Sequence, residues 1–242
     1  MFLAEPTPTP YDVSFRLFGI PVRIHPFFWV IALLLGYGSL TGPWDAMLWV
    51  MAVLISILVH ELGHASVRRL QGYAPRITLY GFGGLTSHRP NQFGTRPSAL
   101  SEILAIAAGP AAGLSLAAGA FAVYYFGIHP SLDTSLGLYF RGFVLSMLAI
   151  NVFWSIMNLI PVIPLDGGQI AREALVKAFP RRGLEFALML SVIAALVTVL
   201  SVYQIFVVYF RGHPPYFLMF LFGYMGFQNF MYLQSLNSGQ RY

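Results

Sequence analysis

His60-Glu61-Leu62-Gly63-His64 sets two imidazoles four residues apart with a carboxylate beside the first. On an α-helix, residues i and i+4 share a face, so both rings can reach one divalent cation. Glu61 then stands within reach of a water activated at that cation, the arrangement of a zinc-dependent hydrolase with Glu61 as general base. The bland alternative is that these polar residues only mark the end of an apolar helix. Against it stands the cost of an ionised carboxylate in continuity with a membrane span, roughly 2.5–3.5 kcal/mol. The chain has no cysteine, so any metal must be held by His, Asp or Glu.

A catalytic zinc needs a third protein ligand and an open position. Asp166 is the best candidate, in Asn158-Leu-Ile-Pro161-Val-Ile-Pro164-Leu-Asp166-Gly-Gly168. Pro161 and Pro164 break the helix before them, which should end near Asn158. Asp166 could equally be the N-cap of the helix that follows. Glu102 is the other acidic candidate, but it opens a helix, where a carboxylate suits the positive end of the helix dipole. His25, just before Pro26, is an interfacial histidine or a residue supporting the site or substrate; His88, His129 and His213 fall in loops and should be solvated.

These groups must be positioned by membrane helices. Hydrophobic residues make up 57% of the 242 residues and charged ones 10%, which excludes an ordinary soluble domain. Apolar runs of membrane-spanning length predict about six transmembrane helices near 26–41, 45–68, 99–126, 138–160, 184–210 and 215–234. Twelve of the 14 basic residues fall on one side of that topology, leaving Arg141 and Arg211 on the other. Both termini are therefore expected in the cytoplasm. The net charge of +5 is spread along the chain rather than clustered, which suits lipid headgroups and excludes a nucleic-acid module.

From Trp44, an outer-interface anchor, to His60 is about 24 Å of helix. His60 then lies about 6 Å inside the cytoplasmic boundary of a ~30 Å core, where water reaches it. The second and fourth helices both run inward, so the charge count alone brings Asp166 to the same level. Between the second and third helices, Arg76 to Ser87 alternates in polarity around Gly81, Gly83 and Gly84, predicting a short β-hairpin or re-entrant strand with an unpaired edge. After Asp166, the apolar face Ile170, Ala174, Leu175, Ala178 and Phe179 predicts an interfacial amphipathic helix. Ala105, Gly109, Gly113 and Ala117 form a small-residue stripe for close helix approach, with Gly63 a candidate partner. The leader up to Tyr11 is too polar and Pro-rich for a signal peptide, so no processing is expected.

Together, HELGH at 60–64, the Gly83-Gly84 pair, Ala108-Gly109-Pro110 and Asn158 through Gly168 resemble the site-2 protease family of intramembrane zinc metalloproteases. The resemblance covers roughly residues 15–180, within one membrane-embedded domain over 1–242 with additional helices at 184–234. It implies one zinc ion per chain on His60, His64 and Asp166, Glu61 as base, and Asn158 as an oxyanion or substrate contact. It also implies an all-α polytopic protein of the bacterial cell membrane that cleaves transmembrane substrates near the cytoplasmic face, in regulated intramembrane proteolysis. Gly113 departs from the family, which often has Asn there; Asn151 is a candidate replacement. The alternatives are a catalytically silent scaffold or chaperone of the same fold, a transporter, and a membrane zincin with Glu as third ligand.

Overall fold

The computed structural model describes residues 5–36, 41–81, 83–89, 98–127, 134–209, 212, 213 and 215–238. They divide into two compact units, Met1–Arg96 with Ala108–Ile156, and Pro97–Ala107 with Met157–Tyr242.

In the first unit the chain opens with β1 (Val13–Leu17) and β2 (Ile20–Ile24), an antiparallel hairpin. Its two-residue turn, Phe18-Gly19, has positive φ at both positions, the turn whose twist matches paired strands. Then come α1 (Pro26–Gly36), α2 (Pro43–Leu70) and a second antiparallel hairpin, β3 (Ala74–Tyr80) with β4 (Gly83–Arg89). β2 and β3 pair in parallel, Val22 opposite Ile77 and Ile24 opposite Leu79. Parallel neighbours need a crossover, here α1 and α2. The sheet order is β1-β2-β3-β4, so β4 is an edge.

The predicted hairpin after α2 is present, but the all-α expectation is corrected: it forms half of a four-stranded sheet. The missed half carried a signal, since Val13, Phe15 and Leu17 alternate with Ser14 and Arg16 on one side of Phe18-Gly19. The sheet belongs there because Ile20, Val22, Ile24, Ile77 and Leu79 are almost fully buried in one apolar cluster with Val53, Ile57 and Ala65 of α2. Burying each such side chain is worth about 1.5–3 kcal/mol. In front of the sheet, Arg23 ties down the N-terminal segment through Asp12 and Glu5, both at 3.0 Å, and Glu5 accepts from Thr78 Oγ1 at 2.8 Å.

The expected six spans are not reached among the described residues. Four helices are long and apolar enough to cross a membrane: α2, the helix Ala99–Gly127, Leu136–Asn158 and Gly183–Tyr209. Two of these contain α3 (Ala99–Ala122) and α6 (Gly183–Tyr203), each continued by a π-helical turn, and the third lies within α4 (Ser135–Asn158). α1 has 11 described residues, about 16 Å of helix and little over half the hydrocarbon thickness. Residues 37–40 of the predicted first span lie outside the described residues. α7 (Tyr216–Asn237) has the length, but Gln228, Asn229 and Gln234 dilute its hydropathy. Arg96, Arg211, Arg241 and His129 also lie outside the described residues.

In the second unit, Ser98 caps α3 by accepting from the Ser101 N–H at 3.2 Å, with Glu102 in the first turn. α5 (Asp166–Ala178) follows the proline-broken segment, whose Ile163 is held on both sides: its N–H donates to Ser191 Oγ at 3.2 Å and its carbonyl accepts from Asn229 Nδ2 at 2.7 Å. Thus α6 and α7 fix the loop that precedes Asp166.

Candidate metal centre

α2 carries the HExxH sequence in its second half, after a run from Ala46 to Val59 that is apolar except for Ser56. Arg68 and Arg69 lie in its last turn, where cations suit the negative end of the helix dipole. His60 is 2% exposed and Glu61 4%; His64 is half-buried. Nε2 of His60 and Nε2 of His64 face one another at 3.2 Å, with the rings nearly perpendicular. Two nitrogens bound to one tetrahedral zinc at about 2.0–2.1 Å would lie roughly 3.3–3.4 Å apart. One ligand atom from each of His60, Glu61 and His64 falls within a 4.8 Å cluster. The donor set and the spacing of the imidazoles therefore fit a zinc ion.

Two close approaches pack this cluster. A Cβ on Gly109 of α3 would stand 2.2 Å from His64 Nε2, so the glycine leaves the imidazole its space. The small-residue stripe thus serves the site directly. Gly63 sits against the carbonyl of Ala108 and the methyl of Ala112, one position round the helix from the stripe expected to meet it. On the sheet side, a Cβ on Gly84 of β4 would stand 2.3–2.5 Å from the Glu61 side chain. Thr86, two residues along the same strand, donates through Oγ1 to Glu61 Oε2 at 2.7 Å. Sequence reasoning missed Thr86, because nothing local ties a strand hydroxyl to a helix 25 residues earlier.

Asn151 is buried and donates from Nδ2 to Ser56 Oγ at 2.8 Å and to the Met147 carbonyl at 2.7 Å. Ser56 lies one turn before His60 on α2. Gly113 faces the buried Ser155 hydroxyl, so the polar side chains around it come from α4. His25 is buried, its N–H donating to the Leu79 carbonyl at 2.9 Å and its Nδ1 accepting from the Phe27 N–H at 3.3 Å. The first of these bonds closes the β2–β3 ladder at the Ile24–Leu79 pair. His88 and His213 are exposed, as expected, but His88 lies in β4, paired with Pro75, rather than in a loop, and its ring stands edge-on to Tyr73. Tyr80 at the end of β3 has its phenol pushed above its ordinary range by burial and then by the nearby carboxylates Glu61 and Glu5.

Asn158 and Asp166 belong to the second unit. Asn158 is the last residue of α4 and is buried. Asp166 is 7% exposed and is the first helical residue of α5; Leu165 takes the N-cap position, without a side-chain cap. The capping alternative in its N-cap form is therefore not what the helix start shows. Gly167 packs against the Leu159 carbonyl, 2.1 Å from where a Cβ would be, which accounts for a glycine directly after Asp166.

The model of peptidase family M50 matches residues 48–140 and 127–200. Stage IV sporulation protein FB of Bacillus subtilis is 32% identical over 152 residues, 62% of this chain and 46% of that protein. Zinc metalloprotease MJ0392 of Methanocaldococcus jannaschii is 28% identical over 171 residues, 68% and 45%. The chain thus spans under half the length of these relatives. The site-2 protease from Methanocaldococcus jannaschii superposes with a TM-score of 0.54 at 20% identity, covering 96% of each chain, a likeness of fold. With its family signature running through α2, where His60, Glu61 and His64 converge, the chain is a membrane protein of peptidase family M50, the site-2 protease family.

Proposed function

We propose that this chain is a zinc-dependent intramembrane endopeptidase, hydrolysing peptide bonds of transmembrane substrates near the cytoplasmic face. The observation that carries the reading is the convergence of buried His60 and Glu61 with half-buried His64 on an apolar membrane helix. His60, His64 and Asp166 would hold the zinc, which when bound polarises the scissile carbonyl and makes water acidic enough to attack near neutral pH. Glu61 takes the proton from the attacking water and returns it to the leaving amine. Asn158, buried at the end of α4, is assigned to the oxyanion or the substrate backbone. The support for Asp166 is its burial at the start of α5, its Asp-Gly-Gly context and the family to which the chain belongs.

A transmembrane helix shields its carbonyls with its own hydrogen bonds, so the substrate must unwind before attack. β4 is an edge strand lying against Glu61, and an unwound segment can pair with it by strand addition. β3 is interior to the sheet, so prolines at 78 and 80 would break the sheet itself and could not isolate pairing with substrate. The chain has no cysteine. Single-cysteine Leu85→Cys, paired with substrates carrying one cysteine at successive positions, should give disulfide crosslinks with period two. Crosslinking without periodicity rejects strand addition.

The decisive comparison is wild type against Glu61→Gln and Asp166→Ala, read for zinc content and for cleavage of a model transmembrane substrate. Glu61→Gln should keep zinc and lose cleavage, and Asp166→Ala should lose both. Cleavage by Glu61→Gln refutes the base assignment. A wild-type chain that binds zinc but cuts no substrate favours the silent scaffold. The termini are assigned to the cytoplasm by the placement of arginines, and the membrane to a bacterial cell.

A further inference from the structure

The hydroxyl that reaches the carboxylate of the HExxH helix comes from the sheet, not from α2. Thr86 Oγ1 donates to Glu61 Oε2 at 2.7 Å and lies 3.2 Å from the Glu61 backbone carbonyl. A hydroxyl has one proton, so it donates along the shorter contact to Oε2, and the carbonyl at 3.2 Å is only its alternative acceptor. Gly84 and Thr86 are two residues apart on a strand and turn the same face to Glu61. In β3 their partners are Leu79 and Ile77, both almost fully buried, so this stretch of β4 is anchored through its neighbour in the sheet. With Oε2 held by Thr86, Oε1 packs close to Gly84, where any side chain would collide with it, and no hydrogen bond among the described residues engages Oε1.

We infer that Thr86 is a positioning residue: it locks the Glu61 carboxylate in one rotamer, presenting Oε1 to the attacking water, and ties the base to the strand along which substrate pairs. The inference deepens the proteolytic reading and rests on it. A glutamate has three side-chain torsions, and without this bond its carboxylate samples several positions. A base displaced by about 1 Å can lose roughly a hundredfold in rate while substrate binding is unaffected. Because Thr86 lies on β4, a substrate strand that stiffens this edge also stiffens the base, so a well-paired substrate meets a better-aligned carboxylate than a poorly paired one.

Thr86→Val keeps the shape and removes the donor; Thr86→Ser restores the hydroxyl. Thr86→Val should lower kcat about ten- to hundredfold with KM within about twofold of wild type and unchanged zinc stoichiometry, and Thr86→Ser should recover most of the rate. The Glu61 carboxylate stretch, isolated as the infrared difference between wild type and Glu61→Gln, should shift in Thr86→Val and return in Thr86→Ser. Unchanged kcat in Thr86→Val, loss of zinc, or failure of Thr86→Ser to rescue overturns the positioning role. An unshifted carboxylate band overturns it without any turnover measurement. A wild-type chain that cleaves nothing while the band still shifts refutes the proteolytic reading and leaves the hydrogen bond itself established.

Discussion

Alanine at position 109 puts one methyl group where the site has no room for it. The added Cβ would stand 2.2 Å from Nε2 and 2.3 Å from Cε1 of His64, whereas ordinary contact begins at about 3.4 Å. Either the imidazole retreats by about 1 Å or α3 moves off α2. Retreat of α3 is resisted by Gly63, which already sits against the Ala108 carbonyl and the Ala112 methyl. The ring is the softer partner, and zinc ligation tolerates only about 0.2 Å of change in distance. If a zinc site of about 10–16 kcal/mol is shared among three protein ligands, losing His64 removes roughly 3–5 kcal/mol, or at least about a hundredfold in affinity. Zinc dissociation constants in detergent, measured by competition with a chelator, test this. Gly119→Ala is the matched control on the same helix, where an added Cβ meets nothing within 4 Å. It should bind zinc normally and gain about 0.5–1 kcal/mol of stability from alanine's better helix propensity. If Gly109→Ala binds zinc within about threefold of wild type, the claim that this glycine makes space for a metal-ligating His64 is wrong.

Asn151→Ala should destabilise the protein by about 1–3 kcal/mol, since it leaves buried Ser56 without its donor, whereas Ser155→Ala, whose buried hydroxyl has no hydrogen-bond partner among the described residues, should be close to neutral. Thermal unfolding in detergent separates the two, and equal losses would contradict it. At the N-terminus, the Thr9 hydroxyl foremost, with Arg23 beside it, holds the Asp12 carboxyl down at about 2 from an ordinary 3.8. A depressed folded-state value means that the contribution is complete above about pH 4 and is lost as pH falls toward 2. The amide protection factors of Glu5, Thr7, Thr9, Tyr11 and Asp12 should therefore fall through that window, and Asp12→Asn should abolish the dependence.

The local part of the site was legible because its geometry is set by one helix. Four residues along an α-helix return to the same face, so His60, Glu61 and His64 were bound to converge once α2 formed. The end of α4 at Asn158 was equally local, fixed by Pro161 and Pro164. The count of spans was less secure because hydropathy measures composition, and α1 and α7 show how length and scattered polar residues alter the outcome.

What required the tertiary structure is whatever depends on pairing between distant segments. The strand pattern of residues 13–24 is visible in retrospect, but its parallel pairing with β3 follows from how α1 and α2 return the chain, which no local periodicity encodes. Thr86 reads as an unremarkable strand residue until β4 lies against α2. The same holds for Ser191 and Asn229, which grip Ile163 from helices 28 and 66 residues further on. Residue identity and helical period suffice to bring His60, Glu61 and His64 together, because all three lie within little more than one turn of α2. Folding alone decided which side chains hold those donors still, because a hydrogen bond between remote segments depends on packing that only the assembled chain defines.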